Sequence, residues 1–304
     1  MLDILAAILP VFMLLALGWG LRRGHFPGDA FWSHLDPLVY YVLFPALLIH
    51  TFAEVDIRSL DILPTALATI STMLAASLLV FLLRRSFAVD GPGFSSVLQG
   101  IVRFNTYVGY GIAAALHDMA GITLFSLVVA FVIPTANLIS IAGLARYGGD
   151  GSANARAVLG AIVGNPLILS VLLGVLLSWT GVGLPWVIEP FLDILRHGAL
   201  PLGLLAAGAG LDLAAVRNAT RPVLMVCVVR LGLLPLLALA ACEVFGVEGL
   251  PRTALLIYAM MPVSPAAYIL ARQLGGDAGL MAAIVTATTF AAVATVPLWM
   301  LAVR

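Results

Sequence analysis

Two stretches place helix-breaking residues and hydrogen-bonding side chains inside membrane-length apolar runs. The first is Arg103-Phe104-Asn105-Thr106-Tyr107-Val108-Gly109-Tyr110-Gly111, and the second is Met261-Pro262-Val263-Ser264-Pro265-Ala266-Ala267-Tyr268. Pro262 and Pro265 each remove a backbone donor and clash with the carbonyl one turn back. In hydrocarbon the groups so freed find no water, and irregular backbone survives only where protein buries it or a wet cavity receives it. Gly109 and Gly111 permit unwinding in the first stretch, where Asn105 and Thr106 offer hydrogen bonds. The plainer reading is a proline kink in one helix and close glycine packing in the other, with Asn105 bonding a neighbour.

If both helices break, each resumed half-helix starts with unpaired amides and the positive end of a dipole. That arrangement suits an anion, a carboxylate above all. Asn105, Thr106, Tyr107, Ser264 and Tyr268 then supply side-chain contacts. Backbone near Gly109, Tyr110, Gly111, Pro265 and Ala266 supplies amides, and Pro262 and Val263 shape the second break. Asn137, after Pro134-Thr135, is a further candidate on an adjacent span, and Asn165-Pro166 makes another polar step; both residue pairs also suit helix-to-helix glue. Arg230 lies roughly 12 Å inside its span by helical rise, where a charge needs a partner such as Asp56 or Asp212, or attracts substrate. His50 could carry a coupling proton, although a lone helical histidine is also a common packing residue.

The elements that must position these residues follow from composition. The 304 residues are 62% hydrophobic and 10% charged, with mean hydropathy +1.12, which defines a polytopic membrane protein. A net charge of zero gives no argument for nucleic acid. All 15 basic residues are arginine. Cys227 and Cys242 share one predicted helix about 22 Å apart, too far to pair. No metal or cofactor motif is present, and His-Glu-x-x-His, Gly-x-Ser-x-Gly and phosphate-loop signatures are absent, so neither a cofactor nor an enzyme is expected. The apolar run from Ile4 to Leu17 precedes Arg22-Arg23, the reverse of a signal peptide, and reads as a first span.

About 20 apolar residues cross a hydrocarbon core. Ten such stretches occur, at about 2–21, 35–52, 63–83, 95–116, 122–145, 157–179, 190–210, 222–245, 253–273 and 279–301. The fold expected is an all-α polytopic membrane protein. The longest polar linker, Arg146 to Arg156, falls at the middle. A shift of 156 residues superposes Pro10 on Pro166, Gly18 on Gly174, Pro45 on Pro201 and Thr106 on Pro262. Two five-helix repeats, 1–150 and 151–304, follow. Five is odd, so the second is inverted, as in the sodium/proton antiporter and bile-acid symporter architectures. With both termini outside, the inner loops hold Arg22, Arg23, Arg84, Arg85, Arg146, Arg156, Arg217, Arg221 and Arg272, against Arg58, Arg252 and Arg304 outside. The positive-inside rule favours that orientation.

Taken in order, these residues resemble the auxin efflux carrier family, which groups plant auxin exporters with bacterial permeases for malonate, malate and similar acids. Ile8-Leu9-Pro10 through Gly18, then Arg22-Arg23-Gly24, is similar to its first span, and Leu38 through Phe44-Pro45-Ala46-Leu47-Leu48 to its second. Arg103 to Gly109 resembles its first crossover, Gly164-Asn165-Pro166 its sixth span, and Met261-Pro262 through Asp277 its second crossover. The resemblance implies crossover helices, a scaffold and a transport subdomain, an elevator mechanism and a homodimer. Two departures set this chain apart from the auxin exporters. A proline frequent in the first crossover is replaced around Gly109, Tyr110 and Gly111, and an asparagine frequent in the second aligns with Ala266.

The sequence therefore predicts a secondary transporter in a bacterial cytoplasmic membrane that moves a small organic anion such as malonate, malate or an auxin-like acid. A proton or sodium is the candidate coupling ion, and Asn105 is the first side chain expected on the substrate. A sodium-coupled bile-acid-type symporter is the nearest alternative, and a membrane ligand sensor is a more distant one.

Overall fold

The structure is a computed structural model and describes residues 2–54, 62–148, 164–216, 221–273 and 275–302. Asp56, named above as a partner for Arg230, lies outside these residues, as does the linker beyond Gly148. Every regular element among the described residues is helical. In chain order the main elements are α1 (Leu2–Arg23), α2 (Asp29–Glu54), α3 (Ile62–Leu82), α4 (Gly91–Val102), α5 (Thr106–Tyr147), α6 (Pro166–Thr180), α7 (Ile188–Ala209), α8 (Arg221–Phe245), α9 (Gly249–Met260), α10 (Ala266–Gln273) and α11 (Ala278–Ala302).

Six stretches are long and apolar enough to cross a membrane, namely Ala6–Arg23, α2, α3, Gly91–Leu144, α8 and α11. The fourth of these holds both the fourth and fifth spans read from sequence. The helix α5 contains the corner between them, where His117 (φ −144°) and Asp118 (φ 47°) leave helical geometry. The remaining three spans fall short for separate reasons. The described helix of the sixth begins only at Pro166, α7 carries Glu189, Asp193 and Arg196, and the ninth is divided into α9 and α10. Leu63, Leu67, Leu74, Leu78 and Leu82 of α3 are all exposed, an apolar face suited to lipid rather than water.

Prolines shape two helices without ending them. In α2 and α8 a π-turn, Val39–Leu43 and Val229–Leu233, comes just before Pro45 and Pro235. Pro235 cannot donate to the carbonyl of Leu231 one turn back. The indole of Trp299 on α11 donates to that oxygen instead, at 2.7 Å, so the freed acceptor is satisfied inside the protein. Buried threonines solve the same problem locally: Thr69, Thr72, Thr288 and Thr289 each donate to the carbonyl four residues back.

The helices pack as two groups. In the first, α1 lies on α7, and the second half of α2 lies on α6 and α7. In the second, α3 packs on α8, α9 on α5, α4 on α5, and α10 on α11. The seam between the groups runs chiefly along α5, which touches α1, α2, α6 and α7.

Candidate functional site

Both polar stretches are real interruptions of helix. Asp90 caps α4 through Gly93 N–H, and the helix runs to Val102. Arg103 then turns extended (φ −84°, ψ 132°), and Asn105 starts α5. The Asn105 side chain accepts from Val108 N–H at 3.2 Å and its carbonyl from Gly109 N–H at 3.0 Å, the standard N-cap arrangement. The second interruption spans Met261 to Pro265, so both prolines sit in it. Ser264 Oγ accepts from Ala266 N–H at 3.3 Å where α10 begins. Val263 N–H donates to Thr288 Oγ1 at 3.1 Å, and Asn105 N–H donates to the Pro262 carbonyl at 2.8 Å. The two breaks are thus bonded directly to each other.

Arg230 explains how they are held. It is fully buried, and its guanidinium donates to Ile101 O (2.7 Å), Met261 O (2.9 Å) and Tyr258 O (3.0 Å). These carbonyls belong to the C-terminal ends of α4 and α9, where helices leave acceptors unpaired and carry partial negative charge. One cation therefore serves both ends. Among the described residues its partners are these carbonyls and not Asp212. Asp212 instead accepts from Ala214 N–H and donates its own N–H to Thr286 Oγ1.

A cavity of about 1830 Å³ opens where α5 and α10 begin. Arg103, Asn105, Thr106 and Tyr107 line it from one break, and Ser264, Pro265, Ala266 and Tyr268 from the other. Asn137 and Asn165 also reach it, together with Asp36 and Tyr40 of α2. The walls therefore come from both helix groups. Tyr107 OH donates to Asp36 Oδ1 at 3.0 Å across the seam. Asn165 caps α6 through the N–H groups of Leu167 and Ile168, and its amide donates to Tyr40 OH at 3.0 Å.

The remaining residues named from sequence lie elsewhere. Tyr110 is fully buried, donating to Ser126 Oγ at 2.9 Å and packed on Phe44 and Phe125. Gly109 abuts the Phe125 ring so closely that a Cβ would enter it, and Gly111 faces Leu204 and Val11. Pro262 and Val263 are buried within the second break and do not line the cavity. His50 is on the far part of α2 among carboxylates.

Among the cavity residues that sequence reasoning passed over, Arg103 stands out. Arg103 directs Nη2 to Asn137 Oδ1 at 2.8 Å and Nε to Ser140 Oγ at 3.2 Å, and among the described residues no carboxylate lies within ion-pair distance of it. Asn137, a substrate candidate from sequence, lines the cavity and orients this guanidinium. The signal was available: an arginine deep in an apolar span, without an acid at its depth, requires the same accounting that drew attention to Arg230.

A helical membrane protein with a polar cavity at two mutually bonded helix breaks has the makings of a membrane transporter. The model of the membrane transport protein family matches residues 153–300. The chain is also 24% identical over 301 residues, 96% of each protein, to an "Uncharacterized transporter" of Methanothermobacter thermautotrophicus. Both matches support a membrane transporter of the auxin efflux carrier type.

Proposed function

We propose that this protein is a secondary transporter for a small organic anion, a carboxylate by class, bound in the cavity between the two breaks. The observation that carries the reading is Arg103, a guanidinium on the cavity wall oriented by Asn137 and Ser140 and without a carboxylate partner among the described residues. A charge-assisted hydrogen bond contributes about 1.5–3 kcal/mol, whereas a helix N-terminus typically contributes about 0.3–1 kcal/mol. Arg103 therefore dominates anion binding, and the amides opening α5 and α10 orient the ligand. Asn105 adds its Nδ2, since its side-chain oxygen is committed to the cap and its backbone N–H to Pro262.

Alternating access follows from the two helix groups. The assembly of α1, α2, α6 and α7 serves as a scaffold, and the group bearing both breaks moves along it as an elevator with the anion. This reading takes the chain as ten spans in two inverted repeats, with α4/α5 and α9/α10 as the crossover helices and the fold assembled as a homodimer. Arg22 and Arg23 line the same cavity. With both termini outside, the open side is cytoplasmic, and the location is a bacterial inner membrane. Asp36, facing the cavity from the scaffold, is the natural acceptor for a coupling proton, and sodium is the alternative ion.

Counterflow in proteoliposomes tests the proposal. Vesicles preloaded with malonate, malate, indole-3-acetate or another carboxylate should accumulate the labelled form of at least one of them. Arg103→Gln should abolish that uptake while the protein remains folded. Equal uptake by wild type and Arg103→Gln would refute the assignment.

A further inference from the structure

His50 takes no part in the cavity, yet it is the most conspicuous buried polar group outside it. Its side chain is 4% exposed, and neither ring nitrogen has a hydrogen-bond partner. Buried polar groups left in that state call for an explanation. Three carboxylates face the ring: Glu54 Oε2 lies 3.6 Å from Nδ1, while Glu189 Oε1 and Asp193 Oδ1 lie 3.9 and 3.8 Å from Nε2. Asp193 is committed, since Arg196 Nε donates to it at 2.6 Å and Arg196 Nη2 lies 2.5 Å away. Glu54 and Glu189 have no basic partner other than His50 among the described residues.

One ligand atom from each of His50, Glu54 and Glu189 can be chosen so that all three lie within 4.8 Å of one another. Imidazole and carboxylate together form the donor set of zinc and related first-row dications. Bonds of 2.0–2.2 Å in a tetrahedral site put ligand atoms about 3.4 Å apart, so the cluster is slightly open. The two glutamates are 56% and 50% exposed, which leaves their tips free to close. The imidazole is fixed by burial.

We infer that His50, Glu54 and Glu189 form a binding site for a transition-metal dication of the zinc class that clips the end of α2 to the first turn of α7. His50 stands 14 residues beyond Asp36 on α2, about 21 Å along the helix, so the site is remote from the cavity. Both helices belong to the same packed group. The clip therefore stiffens that group without spanning the seam, and the inference does not depend on what the cavity transports.

The test uses the full chain, purified in detergent and freed of metal by a chelator, with zinc chloride as the probe. Competition with a chromophoric chelator should show one tight equivalent per chain, and thermal melting should shift upward at that stoichiometry. His50→Gln and Glu189→Gln should each weaken binding at least tenfold, whereas His25→Gln, at the exposed His25–Asp29 pair, should not. Glu189 is half exposed, so its variant reports on the site even if His50→Gln fails to fold. Absence of a tight equivalent, or equal zinc binding by wild type and Glu189→Gln, overturns the inference. So does stabilisation by acid alone with no zinc retained, which would make the cluster a proton site.

Discussion

The backbone N–H of Asn105 donates to the carbonyl of Pro262 at 2.8 Å, joining two helix breaks that lie 157 residues apart in the chain. Each break supplies what the other lacks. Pro262 has no N–H of its own but keeps a carbonyl, and Asn105 begins a helix, where N–H groups have no intrahelical acceptor. The cavity is built outward from this bond, so the properties of Asn105 should divide into structural and binding parts.

Substitution at Asn105 separates them. Asn105→Ala removes the cap on Val108 and should cost about 1 kcal/mol of stability, together with substrate affinity. Asn105→Asp keeps a capping oxygen and replaces the Nδ2 donor with negative charge. It should melt close to wild type while losing anion binding entirely, as read by thermal melting and by counterflow.

Arg230 should behave as a residue of the fold. Its removal leaves three buried carbonyls without donors, at about 1–3 kcal/mol each. Arg230→Met should therefore fail to yield a monodisperse protein in detergent, and Arg230→Lys, with a point charge in place of a planar fork, should yield one that melts well below wild type. A stable Arg230→Met protein would contradict the role assigned to this side chain.

Tyr107 and Asp36 bridge the seam between the two helix groups. If the groups slide, this bond belongs to the arrangement seen here and must break in the other. Tyr107→Phe should shift the population away from it by about threefold or more, since such a bond contributes roughly 1 kcal/mol. In a background lacking Cys227 and Cys242, maleimide labelling of Ala282→Cys, on the cavity wall, should slow in proportion.

The Trp299 indole and Pro235 should be thermodynamically coupled. Trp299→Phe leaves the Leu231 carbonyl unpaired and should cost about 1–3 kcal/mol. Pro235→Ala returns a backbone N–H within reach of that carbonyl, so the double variant should recover part of the loss in thermal melting. Strict additivity of the two changes would show that the indole does not replace the missing backbone donor.

Much of this architecture was legible in the sequence because membrane spans announce themselves by length and apolarity, and breaks by proline and glycine. The interruptions near Arg103–Asn105 and at Met261–Pro265 were both visible, although the first was read at Gly109 and Gly111, which lie inside α5, and not at the cap residue Asn105. What was hidden depends on the third dimension. Tyr110, Gly109 and Gly111 share the polar stretch with Asn105, but helical rotation turns them onto Phe125, Leu204 and Val11. Arg230 and Arg103 are the same residue type in similar apolar runs. Only packing distinguishes the one wrapped in carbonyls from the one facing a cavity. The scaffold side of the cavity, Asp36 and Tyr40, carries no local signal, because these residues join the site through contacts between distant helices.

The most direct test is binding of a carboxylate panel to purified protein, followed by thermal stabilisation in wild type and Arg103→Gln. Ligand that binds only the folded state raises its stability with occupancy. The account predicts that at least one carboxylate stabilises wild type and that Arg103→Gln, melting normally without ligand, responds only at tenfold or higher concentration. Undiminished stabilisation of Arg103→Gln by the same acid would contradict it and place the anion elsewhere.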